Sequence, residues 1–253
     1  MEIERLPCRT DNYVWLLREP RTGSVAVVDP ADAEPVLARL AARGARLDFI
    51  LNTHHHGDHV GGNLALKARF GCTVVGPLAD RDRIPGIDVA LGEGDRFAFG
   101  ALEARVFDVP GHTRGHIAFW FETARALFCG DTLFALGCGR LFEGSPAQMW
   151  ESLSKLRALP DETQVYCAHE YTQANARFAL TADPANAALK ARAASVDAAR
   201  AKGEATVPSL LGEEKRTNPF LRADDPALAR AAGLPGASPV DVFAAVRAAK
   251  DCF

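Results

Sequence analysis

The sequence predicts an α/β domain followed by a smaller all-α C-terminal region. Three observations carry that expectation. Up to Cys167, short β-rich apolar runs alternate with segments of helical periodicity. Four strand-like runs lead straight into ligand-type residues, at His54, at Pro110-Gly111-His112, at Gly130-Asp131 and at Ala168-His169. Beyond His169 the texture changes to alanine-rich stretches with helical character and no convincing strand between them.

In chain order, Tyr13–Arg18 and Ser24–Val28 are rich in β-formers and flank the turn-like Glu19-Pro20-Arg21-Thr22-Gly23, so they read as an antiparallel pair. Ala31–Arg43 has helical periodicity and stops at Gly44. Leu47–Asn52 is the next strand, and Asn63–Phe70 a helix stopped by Gly71. Val74-Val75 reads as a short strand, whereas Gly76–Gly92, rich in proline, glycine and charge, reads as loop. Arg96–Phe99 and Leu102–Val109 form a hairpin around Gly100, and His116–Phe121 pairs with Ala126–Cys129. Pro146–Leu159 is a helix and Gln164–Cys167 the last strand. Glu170–Leu180, Asn186–Lys202 and Val240–Lys250 are the helices of a terminal region of about eighty residues, small enough to depend on packing against the first domain. The division expected is 1–169 and 170–253.

Composition narrows the class. Of 253 residues, 48% are hydrophobic and 24% charged, the balance of a soluble globular protein. A net charge of −3 gives no basic field for nucleic acid or an anionic membrane, and nothing approaches a transmembrane span. Met1-Glu2-Ile3-Glu4-Arg5 lacks the pattern of a signal peptide, which favours the cytoplasm. The six cysteines form no C-x-x-C pair, and several sit in apolar runs, so they behave as small hydrophobes in a reducing compartment.

The chemistry is concentrated in Thr53–Gly62, T-H-H-H-G-D-H-V-G-G, which holds four of the seven histidines. Imidazole suits borderline metals, and carboxylate supplies charge for a second cation. In an extended backbone His54 and His56 point the same way and can grip one ion, while His55 points away to a structural role. Gly57 lets the chain turn sharply, so that Asp58 and His59 face a neighbouring position. Two ions side by side are expected. His112, Asp131 and His169, each at a strand end, complete the candidate set, although Asp131 taken alone reads equally as a turn residue. His116, at the start of a strand, reads as structural, and Asp29, which ends a strand close to the motif, reads as a residue that orients a ligand histidine.

With these residues in hand the chain resembles the metallo-β-lactamase superfamily, and within it the glyoxalase II, or hydroxyacylglutathione hydrolase, family. The motif H-x-H-x-D-H is His54-His55-His56-Gly57-Asp58-His59. The resemblance implies an αββα sandwich. It also implies one ion on His54, His56 and His112, a second on Asp58, His59 and His169, and Asp131 bridging both. Gly137–Gly144, Tyr166–Thr172, Thr217–Arg222 and Ala245–Asp251 look like the family's substrate-side segments, so the likeness spans nearly the whole chain. It implies glutathione contacts at Arg140, Phe142, Tyr171, Arg247 and Lys250. Arg140 and Phe142 depart from the lysine and tyrosine common there; arginine keeps the charge but not its geometry, and phenylalanine loses a hydroxyl. On spacing alone, Arg247 and Lys250 share one helix face and read equally as a solvated basic surface.

The expected activity is metal-dependent hydrolysis of S-D-lactoylglutathione to D-lactate and glutathione, the second step of methylglyoxal detoxification. A metal-bridging hydroxide would attack the thioester carbonyl, with Asp58 and Asp131 offsetting the charge of the ions. The leaving thiolate needs no strong general acid, since thiol pKa values are about 8 to 9. Two divalent ions, zinc first, with iron or manganese also suited, are the cofactors, and a monomer without nucleic-acid or membrane partners is expected. The main alternative is a mono-iron glutathione persulfide dioxygenase, with His54, His112 and Asp131 as its two-histidine, one-carboxylate set. A nuclease or lactamase on the same scaffold, or a non-enzymatic metal-binding protein, fits the whole chain less well.

Overall fold

The structure, a computed structural model, describes all 253 residues and separates into two compact units. The first comprises residues 1–108 and 114–130; the second comprises residues 109–113 and 131–253.

The first unit is a pair of facing sheets. One sheet runs in the order β1 (Glu2–Cys8), β2 (Asn12–Arg18), β3 (Val25–Val28), β4 (Phe49–Leu51), β5 (Thr73–Pro77), β6 (Val89–Leu91). Its first three strands are antiparallel, and β3 to β6 are parallel. Helix α1 (Glu34–Arg43) makes the β3–β4 crossover, while α2 (Gly57–Val60) and α3 (Asn63–Phe70) lie in the β4–β5 connection. The other sheet is the antiparallel run β7 (Arg96–Phe99), β8 (Leu102–Asp108), β9 (Ile117–Phe121), β10 (Ala126–Gly130).

Strand alternation explains the layering. Val14, Leu16, Val25, Val27, Ile50 and Val74 face one way and pack with Val36, Leu40 and Leu66 of the helices. Phe49 of β4 points the other way and meets Phe97 and Phe99 edge-on, at ring separations of 5.2 and 6.4 Å. With apolar material on both faces, β2 and β3 are buried almost throughout.

Several sequence expectations need correction. Strand β1 was not expected; it is the sheet's edge, partly or fully exposed up to Arg5, and pairing with β2 defines it. Residues 76–92 are not simply loop: β5 continues to Pro77, a 3-10 turn covers Leu78–Arg83, and β6 pairs with β5. The parallel partner supplies backbone bonds that local composition cannot signal.

In the second unit, β11 (Leu133–Phe134) and β12 (Gly137–Cys138) form a small hairpin, and α4 (Pro146–Arg157) starts from a Ser145/Gln148 capping box. β13 (Gln164–Cys167) pairs with β14 (Ser209–Leu210), so the C-terminal region does contain a strand, a two-residue one. The helices are α5 (Thr172–Ala182), α6 (Ala187–Ala201), α7 (Leu211–Thr217), α8 (Pro226–Ala231) and α9 (Pro239–Asp251); α7 and α8 are additions to the three expected. α5 and α6 share an apolar seam of Ala176, Ala179, Leu189, Ala193 and Val196. Phe220 links the rings of Phe178 and Phe243. No helix is long and apolar enough to cross a membrane.

A buried carboxylate staples the two sheets. Glu19 is almost inaccessible and accepts the Thr22 hydroxyl, the amides of Arg21 and Thr22, and the amide of Ala101 between β7 and β8. The Thr22 hydroxyl, then the Arg21 amide, hold its pKa at about 2 instead of the ordinary 4.5. A depressed folded-state pKa means that the stability Glu19 contributes is complete above pH 4.5 and is lost as pH falls toward 2. Glu19→Gln is therefore expected to lower the urea midpoint at neutral pH, with the gap from the unaltered protein closing across that window. A gap constant with pH would contradict the assignment.

Candidate functional site

In the first unit the strand β4 delivers Asn52 and Thr53, and the histidine run follows. Asp29, directly after β3, organises it. Asp29 is buried in the left-handed region at φ 49°, which a short polar side chain tolerates. Its Oδ1 accepts the Thr53 amide at 2.8 Å, and Oδ2 accepts the Thr53 hydroxyl at 2.7 Å. The same Oδ2 lies 3.1 Å from His59 Nδ1. The Thr53 hydroxyl spends its one hydrogen-bond donor on Asp29, so it accepts from His54 Nδ1, 3.1 Å away. Both histidines therefore carry a proton on Nδ1 and a lone pair on Nε2.

Those lone pairs face other donors. His54 Nε2 stands 3.1 Å from His56 Nδ1, and His59 Nε2 stands 3.6 Å from Asp58 Oδ2. Two donors on one tetrahedral zinc, each about 2.0–2.1 Å from it, stand about 3.3 Å apart. The spacing is that of co-ligands. Asp58 is steered by Asn12, whose amide donates to its Oδ2 at 3.1 Å. The turn after His56 is one helical turn, α2, not the glycine-dependent reversal expected: Gly57 has an ordinary φ and open space where a Cβ would be.

His55 points away, with Nδ1 2.8 Å from buried Asp80 and Nε2 3.1 Å from Arg83. His116 stacks on His54 with ring centroids 4.5 Å apart and sets Nδ1 3.0 Å from the Ile117 carbonyl. Neither Asp80 nor Arg83 was singled out in the sequence, because both lie in the stretch read as loop.

The second unit holds a second set of donors. His112 Nδ1 donates to the Arg140 carbonyl at 2.8 Å, leaving Nε2 as the lone-pair nitrogen. That Nε2 lies 3.5 Å from Asp131 Oδ2, while His169 Nε2 lies 3.4 Å from Asp131 Oδ1. The two oxygens of one carboxylate thus face two different histidines. All three residues are buried. Glycine precedes two of them for steric reasons: Gly111 has φ +151° with Met149 against its open side, and a Cβ on Gly130 would fall 2.2 Å from the Thr53 hydroxyl. In the first unit Asp29, His54 and His59 form a buried donor cluster of the metal-binding kind.

The other named residues also lie in the second unit. Tyr171 stacks on His169, 3° from parallel at 4.7 Å, and is 38% exposed. Phe142 is 62% exposed and sets its ring edge on His112 at 5.2 Å. Arg140 is exposed, its Nε 3.9 Å from Asp251. Lys250 lies over the rings of Phe178 and Phe253. Burial, then the positive charges of Arg247 and Arg140, pull its pKa below the usual value, a field that favours an anion. Arg247 lies beneath the surface at 4% exposure, with Nη1 on the Cys138 carbonyl and Nη2 on Asp251.

Residues 9–169 match the family model of the metallo-beta-lactamase superfamily, and residues 170–253 match that of the hydroxyacylglutathione hydrolase C-terminus. A protein of Methylococcus capsulatus named hydroxyacylglutathione hydrolase is 64% identical over 253 residues, covering 100% of this chain and 99% of that one. One of Rhodospirillum rubrum with the same name is 57% identical, again over 100% and 99%. A solved structure described as TTHA1623 in a di-iron-bound form aligns with a TM-score of 0.61 and 28% identity, covering 87% of this chain and all of that one.

Proposed function

We infer the activity from a single premise, that the chain belongs to the hydroxyacylglutathione hydrolase family of the metallo-β-lactamase superfamily. It is a thioester hydrolase, cleaving S-2-hydroxyacylglutathione such as S-D-lactoylglutathione to the hydroxy acid and glutathione. The dioxygenase alternative is less supported, because relatives 64% and 57% identical along the entire chain carry the hydrolase name.

The observation that carries the dinuclear reading is Asp131, whose oxygens face different histidines at 3.5 and 3.4 Å. We propose that His54, His56 and His112 hold one ion, that Asp58, His59 and His169 hold the other, and that Asp131 belongs to both. Zinc fits this imidazole–carboxylate set, as do iron and manganese. When bound, two adjacent divalent cations lower the pKa of a shared water and polarise a carbonyl oxygen.

The chain's own groups do the rest. Asp29, Thr53 and the Arg140 carbonyl keep the imidazoles of His54, His59 and His112 in the neutral tautomer a ligand requires. Asn12 holds Asp58 in place. On the substrate side, residues 170–253 with Arg140 and Phe142 would grip glutathione. Arg140, Tyr171 and Lys250 reach the surface and suit its carboxylates and amides, while buried Arg247 adds charge from beneath. Phe142 offers an apolar lip beside His112. Six cysteines with no disulfide among them, five of them buried, support work in a reducing compartment such as the cytoplasm.

The test is release of free thiol from S-D-lactoylglutathione by protein whose metal is counted. Turnover is expected to vanish on chelation and to return with zinc, iron or manganese. Two ions bound with no thiol released would overturn the reading.

A further inference from the structure

Between Asp131 and Arg140 the chain makes the β11–β12 hairpin, with two residues in each strand. A pairing that short does not hold itself together in water. Side chains of the helical part hold it instead. Asn218 Nδ2 donates to the carbonyls of Phe134, at 3.1 Å, and Gly137, at 3.0 Å. Asn175 Nδ2 donates to the Ala135 carbonyl at 3.1 Å. The Leu136 amide donates to Glu214 Oε2 at 2.9 Å. Arg247 Nη1 donates to the Cys138 carbonyl at 3.0 Å. Each of residues 134–138 therefore has one backbone group committed to a side chain from far along the chain.

Glu214 is the centre of this grip. It is fully buried, paired with buried Arg192, and its Oε2 also lies 3.2 Å from Asn218 Nδ2. Leu136, which it holds, sits at φ 57°, a conformation a leucine does not adopt without outside support. A buried, charged anchor on a strained backbone amide is an unusual way to stabilise a loop.

The hairpin's ends explain the arrangement. Asp131 enters it, and the Gly139 amide closes its base on the Thr132 carbonyl at 3.2 Å. Arg140, just beyond, supplies the carbonyl that fixes His112. The Phe134 ring packs edge-on against His169, at 6.0 Å, and Tyr171, at 5.3 Å. The three candidate ligands of this unit are all set by one hairpin.

We propose that Glu214 and Asn218 are positioning residues for the metal centre, acting through the backbone of residues 134–138 on Asp131, His112 and His169. The inference rests on the reading of those three as metal ligands.

The experiment compares Glu214→Gln, which changes charge at nearly constant shape, with Asn218→Ala, which removes the two contacts to the hairpin carbonyls together with those to Glu214 and the Phe220 amide. Asp224→Asn serves as control: it weakens the Arg157–Asp224 pair of the same unit and touches no hairpin atom. In metal-free protein, amide exchange of residues 133–140 is expected to accelerate in both variants and not in the control. Metal affinity is expected to fall about 10- to 100-fold, the usual cost of losing a group behind a ligand. The absorption bands of the cobalt-substituted protein should shift, and kcat should fall with KM little changed. Should Glu214→Gln fail to fold, Asn218→Ala still carries every readout. Faster exchange of the hairpin with unaltered metal affinity and cobalt spectrum would overturn the proposal, as would equal losses in the control. Unaltered protein that binds no metal would instead overturn the reading of the site, so the two failures are distinguishable.

Discussion

Asp131→Asn is expected to leave fewer than two metal ions per chain and to lower kcat/KM more than about 100-fold, beyond what substituting groups behind a ligand costs. The reason is the geometry of one carboxylate. Its Oδ2 faces His112 and its Oδ1 faces His169, each at co-ligand spacing. Asparagine reproduces the shape, but its amide nitrogen has no lone pair to give, so one histidine loses its neighbouring donor. The negative charge that offsets the cations goes as well. The metal-free variant should be at least as stable as the unaltered protein, because a buried carboxylate is replaced by an uncharged group. Metal counting, thiol release and apo-protein denaturation together check this. A variant retaining both ions and its turnover would remove Asp131 from the site.

Phe99→Ala should destabilise the chain by about 3–5 kcal/mol, a large part of the 5–15 kcal/mol that typically holds a domain. Phe99 ends β7, has no accessible surface, and meets Phe49 and Phe121 edge-on at 6.4 and 6.1 Å. It thereby joins β4 of one sheet to the second sheet. Removing the ring leaves a cavity that the rigid strands around it cannot close. Leu64→Ala, at a position 60% exposed, should move stability by no more than about 0.5 kcal/mol. Urea denaturation of the metal-free proteins measures both. A loss below about 1 kcal/mol at Phe99 would show that the sheets are not packed through this ring.

The elements readable in the sequence were those whose hydrophobic period is local. Asn12–Arg18 holds a continuous run of β-formers, and Arg96–Phe99, Pro146–Arg157 and Pro239–Asp251 carry clear alternation, helical period or a cap. The elements missed depend on a distant partner. β1 is an edge strand containing Pro7, β6 exists through β5, and the strands β11, β12 and β14 have two residues each, too few for any period. The short helices α7 and α8 lie among prolines that read as loop punctuation.

The candidate site divides in the same way. His54, His56, Asp58 and His59 announced themselves because four rare donors fall within a few residues, and His112, Asp131 and His169 because each follows a strand. The likeness to a hydrolase family was equally legible, since its motifs are contiguous. Asp29, at a strand end close to the motif, was legible as a residue that orients a histidine; that it bears on two, and that Asp80 and Arg83 hold His55, no local pattern marks. Arg247 shows the limit most plainly. Spacing put it on one helix face with Lys250, yet it is buried and bonded to the Cys138 carbonyl.

The sequence by itself determined which donors are available, in which order, and on what class of scaffold, because donor chemistry and strand period are properties of neighbouring residues. Only the tertiary structure decided which nitrogen each histidine presents and that Asp131 faces two of them. Only it decided that the loop beyond Asp131 hangs on Glu214 and Asn218. Those are fixed by hydrogen bonds between residues far apart in the chain, whose pairing no local period records.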